Sequence, residues 1–179
     1  HITTIPYDTK VWLFLAFLAA FAIKIPIFPL HTWIMETYKN APTGAVFLLS
    51  SIMAKLGVYA IVRFMIPIFP DIYVEYSTWL VAVGLFGLIY FGIAALMQDD
   101  IKRMFAYSSA SHLSFIAAGI FSLSAYGING ALYLIIAHAI ATGALFLLVG
   151  LMQEQTGFKT IKDLGGIGER APIHTFVFA

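Results

Sequence analysis

Four side chains able to carry a proton sit inside apolar runs: Lys24, Lys55, His112 and His138. An ammonium at the centre of a hydrocarbon layer costs about 2.5–3.5 kcal/mol on insertion scales, so such a group faces the interior of a helix bundle and takes a partner there. Burial favours the neutral amine and an acidic neighbour favours the charged one; a lysine held between the two influences can load and release a proton. An imidazole changes charge near neutral pH without either. Four such groups at comparable depth describe a lateral chain along which a proton is handed on.

Lys24 lies in Phe21-Ala22-Ile23-Lys24-Ile25-Pro26-Ile27-Phe28-Pro29. Pro26 and Pro29 lack amide donors and crowd the preceding turn, which predicts a helix interrupted just after Lys24. Carbonyls freed by such a break are tolerated in a bilayer only within protein or beside water, and broken helices recur at transporter sites. If the prolines merely end the helix, Lys24 instead reaches the interface along its stem. Lys55 has no such escape, being about a dozen residues, or ~18 Å, from either end of its run; the plain alternative is a lysine that hydrogen-bonds for structure. His138 is about ten residues into its run, with Thr142 one turn further on the same face. His112 follows Ser108 and Ser109 by four and three residues, forming a polar stripe. Helix packing through hydrogen bonds accounts for such a histidine as well as proton carriage does.

The surrounding sequence supplies the helices. Hydrophobic residues make up 61% of the 179 and charged residues 11%, with mean hydropathy +0.91, more apolar than an aqueous fold can bury. The apolar blocks, about 18–25 residues each, match a ~30 Å hydrocarbon layer. Five spans are expected over 11–30, 43–66, 78–97, 104–123 and 129–152, with a sixth beginning at 173. The fold class is therefore an all-α, polytopic transmembrane helix bundle, one transmembrane domain over 1–179, with a discontinuous helix near Lys24 to Pro29. A chain that starts at His1 and stops just inside a new apolar run reads as an internal piece of a longer protein. The connector 67–77 carries Asp71 and Glu75 without a basic residue, and 124–128 is uncharged. Lys39, Lys102 with Arg103, and Lys159, Lys162 and Arg170 fall in the alternate connectors, which the positive-inside rule places in the cytoplasm. Arg63, near an outer end, snorkels.

Other features exclude functions. The absence of cysteine removes disulfides, thiolate-held iron–sulfur clusters and thiolate metal sites. A net charge of +1 gives nucleic acid nothing to bind. The Gly165-Gly166-Ile167-Gly168 run lacks the strand and helix of a phosphate loop and reads as a cytoplasmic turn. In Asp99-Asp100-Ile101-Lys102-Arg103, Asp100 suits a helix start and the basic pair suits headgroups. There is no zinc-type histidine spacing and no nucleophile with a paired base.

Particular strings carry a family resemblance. Lys24-Ile25-Pro26, Pro29-Leu30-His31-Thr32-Trp33 and Ala41-Pro42-Thr43, with Lys55 thirty-one positions after Lys24, resemble the antiporter-like subunits of respiratory complex I, the NADH:quinone oxidoreductase. The run from Asp100 to Arg103 and on through Ala106-Tyr107-Ser108-Ser109 and Ser111-His112 is similar to the same family. Ala137-His138, then Thr142-Gly143-Ala144-Leu145-Phe146-Leu147 and Gly165-Gly166, are closest to its M branch. The resemblance implies that Lys24 is the lysine on the broken helix, Lys55 the central relay lysine and His138 the histidine leading to the second half-channel. His112 becomes a further relay candidate, and His31 and Glu36 mark where a proton would enter. It also implies no cofactor in this chain, with NADH, FMN, iron–sulfur clusters and quinone in other subunits, and L-type and N-type antiporter-like subunits as partners in a bacterial inner or equivalent energy-converting membrane. Where the family carries a Pro-acid-Ala-His string after the Trp, this chain has Met35, Glu36, Thr37 and Tyr38. Two other readings share these helices: a subunit of a multisubunit Na+/H+ antiporter or of a related membrane-bound hydrogenase or ferredoxin-dependent complex, and a passive scaffold with vestigial charges.

Overall fold

The computed structural model describes residues 5–158 and 160–165. Its helices are α1 (Tyr7–Lys24), α2 (Thr32–Asn40), α3 (Thr43–Ile68), α4 (Pro70–Leu96), α5 (Ile101–Phe121) and α6 (Ala125–Thr156), followed by a 3-10 turn at Ile161–Leu164. The last four helices are long and apolar enough to cross a membrane. The discontinuous helix lies where the prolines put it, with α1 stopping at Lys24 and the chain resuming a helix at Thr32.

The expected outer connector over 67–77 is corrected: Phe69 alone separates α3 from α4. Pro70 opens α4, where its missing N–H costs nothing, and Asp71 lies at the positive end of the helix dipole. These polar residues lower hydropathy without interrupting the helix. Capping likewise carries α6 beyond the expected 129–152. The Ser124 hydroxyl accepts from the Gly127 amide at 2.9 Å, and Gly157, at φ 73°, ends the helix in the left-handed conformation. Asp100 caps α5 as expected, accepting from the Arg103 amide at 2.9 Å. The expected sixth span from 173, with Lys159, Arg170 and most of the glycine run, lies outside the described residues.

Small residues set the helix spacing, because packing in lipid depends on close backbone approach. Gly84 and Gly87 of α4 face Ala118 and Ser114 of α5. Gly143 and Gly150 of α6 receive Phe47, Ser51 and Thr43, drawing the first half of α3 onto α6. Gly57 draws the second half onto α1, where an added Cβ would stand 2.9 Å from Lys24 Cβ.

The buried apolar side chains form two main clusters. One joins Phe14, Val58, Ile61, Met65, Tyr73 and Leu113; the other joins Ile34, Tyr38, Val46, Phe91, Ala110 and Phe146. The buried polar side chains are Ser50 and Lys55 on α3, Ser109, Ser111 and Ser114 on α5, His138 and Thr142 on α6, and His31 in the α1–α2 break.

Candidate functional site

Lys55 rides on an irregular helix. Its α-helical stretch, Ala54–Ala60, is flanked by π-helical turns at Leu49–Met53 and Ile61–Met65. A π turn disturbs the regular carbonyl-to-amide ladder, and the Lys55 ammonium donates to the Ser50 carbonyl. The hydroxyls of Ser50 and Ser51 both donate to the Phe47 carbonyl, at 3.2 and 2.6 Å. Lys55 is 7% exposed and lines a groove of about 700 Å³ between α3 and α6 whose walls include Leu56, Val62, Ile136 and Ile140. Among the described residues one backbone carbonyl engages one of the ammonium's three N–H bonds, and the other two can bind water or a neighbour.

The histidines meet across α5 and α6. His138 Nε2 lies 3.3 Å from Ser109 Oγ, and the His112 and His138 rings stand 5.4 Å apart, edge to face. Thr142 donates to the His138 carbonyl at 2.6 Å, which keeps that hydroxyl on the backbone. His138 Nδ1 is buried with no hydrogen-bond partner among the described residues, an arrangement that calls for water or a moving donor. Both imidazoles line a cavity of about 240 Å³ with Ser108, Ser109 and Thr142. Ser109, His112 and His138 thus form one polar unit across α5 and α6, and Lys55 lines the adjoining α3–α6 groove, whose wall includes Ala139. The polar stripe of α5 serves the neighbouring helix: Ser109 orients His138, a role invisible along α5 alone.

Lys24 stands apart from that unit. It is exposed at the end of α1, its stem against Gly57, two positions after Lys55. Two residues are about 200° around a helix, so Lys24 packs on the flank of α3 turned away from Lys55. His31 is buried among aromatic rings, with Phe91 4.7 Å away and Phe28, Tyr90 and Tyr107 around it, and its Nδ1 lacks a partner among the described residues. Glu36 is ion-paired with Arg103 at 2.5 Å. These two residues are 67 positions apart, and no local sequence signal joins them.

A broken helix followed by four long apolar helices, with Lys55 and His138 buried among them and the exposed His112 against His138, defines an antiporter-like membrane bundle. The chain belongs to the NADH:quinone oxidoreductase/Mrp antiporter transmembrane family, whose model matches residues 3–179. It is 38% identical over 172 residues to NADH-quinone oxidoreductase subunit M of Rickettsia prowazekii (strain Madrid E), a match covering 96% of this chain and 35% of that protein. With NADH-ubiquinone oxidoreductase chain 4 of Marchantia polymorpha it shares 34% identity over 169 residues, covering 94% and 34%. Among solved structures, a chain of respiratory complex I from Thermus thermophilus with bound NADH superposes with a TM-score of 0.87 at 36% identity, over 95% of this chain and 36% of that one. A chain of an archaeal membrane-bound sulfane sulfur reductase superposes with a TM-score of 0.85 at 29% identity, over 94% and 29%. The chain spans about a third of the length of the curated relatives it matches.

Proposed function

We propose that this chain is the proton-carrying part of an M-type, antiporter-like subunit of a proton-translocating NADH:quinone oxidoreductase. The observation that carries the reading is the seam of α3, α5 and α6, where His138 meets His112 and Ser109 and Lys55 lines the adjoining α3–α6 groove. The likeness to relatives named subunit M supports the choice of machine. In this reading Lys24 loads a proton on the broken helix, Lys55 relays it, and His138 passes it on beside His112. His31 and Glu36 stand on the uptake side. Two positive charges in a poorly screened seam repel, so loading one group drives release from its neighbour. The chain is the translocating component and carries no redox group; NADH, FMN, iron–sulfur clusters and quinone belong to other subunits, whose quinone reduction drives the transfer. L-type and N-type subunits are its partners in a bacterial inner membrane or an equivalent energy-converting one. The α1–α2 pair completes a fifth span, with Lys39, Lys102 and Lys162 on the cytoplasmic side.

Purification of the intact protein from its native membrane tests the assignment: flavin and iron–sulfur subunits are expected alongside it. Recovery of small antiporter subunits without them would replace this reading by the multisubunit Na+/H+ antiporter. Within the relay, Ser109→Ala removes one orienting hydrogen bond, worth about 1 kcal/mol, and is expected to slow translocation in vesicles about fivefold with assembly intact. An unchanged rate would take Ser109 out of the scheme.

A further inference from the structure

We infer that Arg103 is a positioning residue: through its ion pair with Glu36 and the half-helix α2 it sets the place of the Lys24 end of α1. The role of Lys24 itself rests on the function proposed above. The linkage begins at the break. The amide of Ile27 donates to the Ala22 carbonyl at 3.0 Å, so the Ile23 carbonyl loses the partner that a continuous helix would supply. The indole N–H of Trp33 takes that carbonyl at 3.0 Å, one residue before Lys24. Trp33 and Glu36 are three residues apart and share a face of α2.

Glu36 then fixes the other side of the lever. Its Oε1 accepts from Arg103 Nη2 at 2.5 Å and its Oε2 accepts from Asn40 Nδ2 at 3.4 Å. The Arg103 side chain is 34% exposed, and its Nε is buried. The Glu36 side chain is 59% exposed, so the pair acts through its direct hydrogen bond more than through charge at a distance. Arg103 sits in the capped first turn of α5, six residues and ~9 Å before Ser109. The short helix α2 is thus a strut, tied by Trp33 to the turn that carries Lys24 and by Glu36 to the helix that carries Ser109 and His112. A shift at Arg103 is transmitted to Lys24 without contact between them.

Hydrogen–deuterium exchange over residues 21–30 of the purified, assembled complex tests the strut. Glu36→Gln, Arg103→Gln and Trp33→Phe are each expected to raise exchange about tenfold, Glu36→Gln with Arg103→Gln no more than either alone, and the exchanged pair Glu36→Arg with Arg103→Glu to return within about twofold of the parent. Parental exchange in the single variants, or effects that multiply in the double, would overturn the inference. Translocation measured on the same samples keeps the two claims separate. Raised exchange with parental translocation would support the strut and count against the proton-loading role of Lys24.

Discussion

Lys55→Met is expected to cut proton translocation by at least about tenfold in reconstituted vesicles while the complex still assembles. Methionine has nearly the length of lysine and suits the apolar walls of Leu56, Val62, Ile136 and Ile140. Removing a buried ammonium from such a groove relieves a desolvation cost, so the fold has no reason to suffer. The proposed relay loses its central group while the α3–α6 groove stays filled. Lys55→Arg separates charge from proton exchange: a guanidinium keeps the positive charge but does not release its proton, and translocation should fall here too. Parental pumping by Lys55→Met would favour the scaffold reading, in which buried charges are vestigial.

Gly57→Leu acts on the architecture, and its expected effect is a fall of at least about tenfold in assembled protein, as overpacking of 1–3 kcal/mol or more would produce. A Cβ at this position meets Ile25 Cγ1 at 2.7 Å, Lys24 Cβ at 2.9 Å and the Phe21 carbonyl oxygen at 3.2 Å. Two of these atoms belong to, or are attached directly to, the backbone of α1 and cannot swing aside. Gly44, with nothing within 4 Å of its Cβ direction, is the control, and Gly44→Leu should assemble normally. Membrane extracts quantified by immunoblot after native electrophoresis read both variants. Normal assembly of Gly57→Leu would show that α1 does not seat on α3 as described.

The parts of this molecule legible along the chain are those set by local chemistry. Pro26 and Pro29 announced the break after Lys24 because a missing amide and a ring clash act within one turn. Asp100 announced the start of α5 for a similar reason. The 67–77 segment was misread because Asp71 and Glu75 lower hydropathy, whereas Pro70 and Asp71 favour a helix start; hydropathy reports the membrane edge and not the helix end. The π turns around Lys55 left no sequence mark, since Leu49–Met53 is an ordinary apolar stretch with two serines whose hydrogen bonding is settled by packing. The same holds for the flank on which Lys24 sits, which Gly57 decides through one close contact, and for the pairing of Glu36 with Arg103. His31 was recognisable as a histidine in a loop, but its enclosure by Phe28, Tyr90, Phe91 and Tyr107 depends on α2, α4 and α5 converging.

Proton conduction along the seam requires water there. A density map of the assembled complex, at a resolution that shows ordered water, tests it directly. Water molecules are expected to link the Lys55 ammonium, His138 Nδ1 and the His112 ring through the space between α3, α5 and α6. A dry seam, with hydrocarbon side chains or lipid packed between Lys55 and His138, would contradict it.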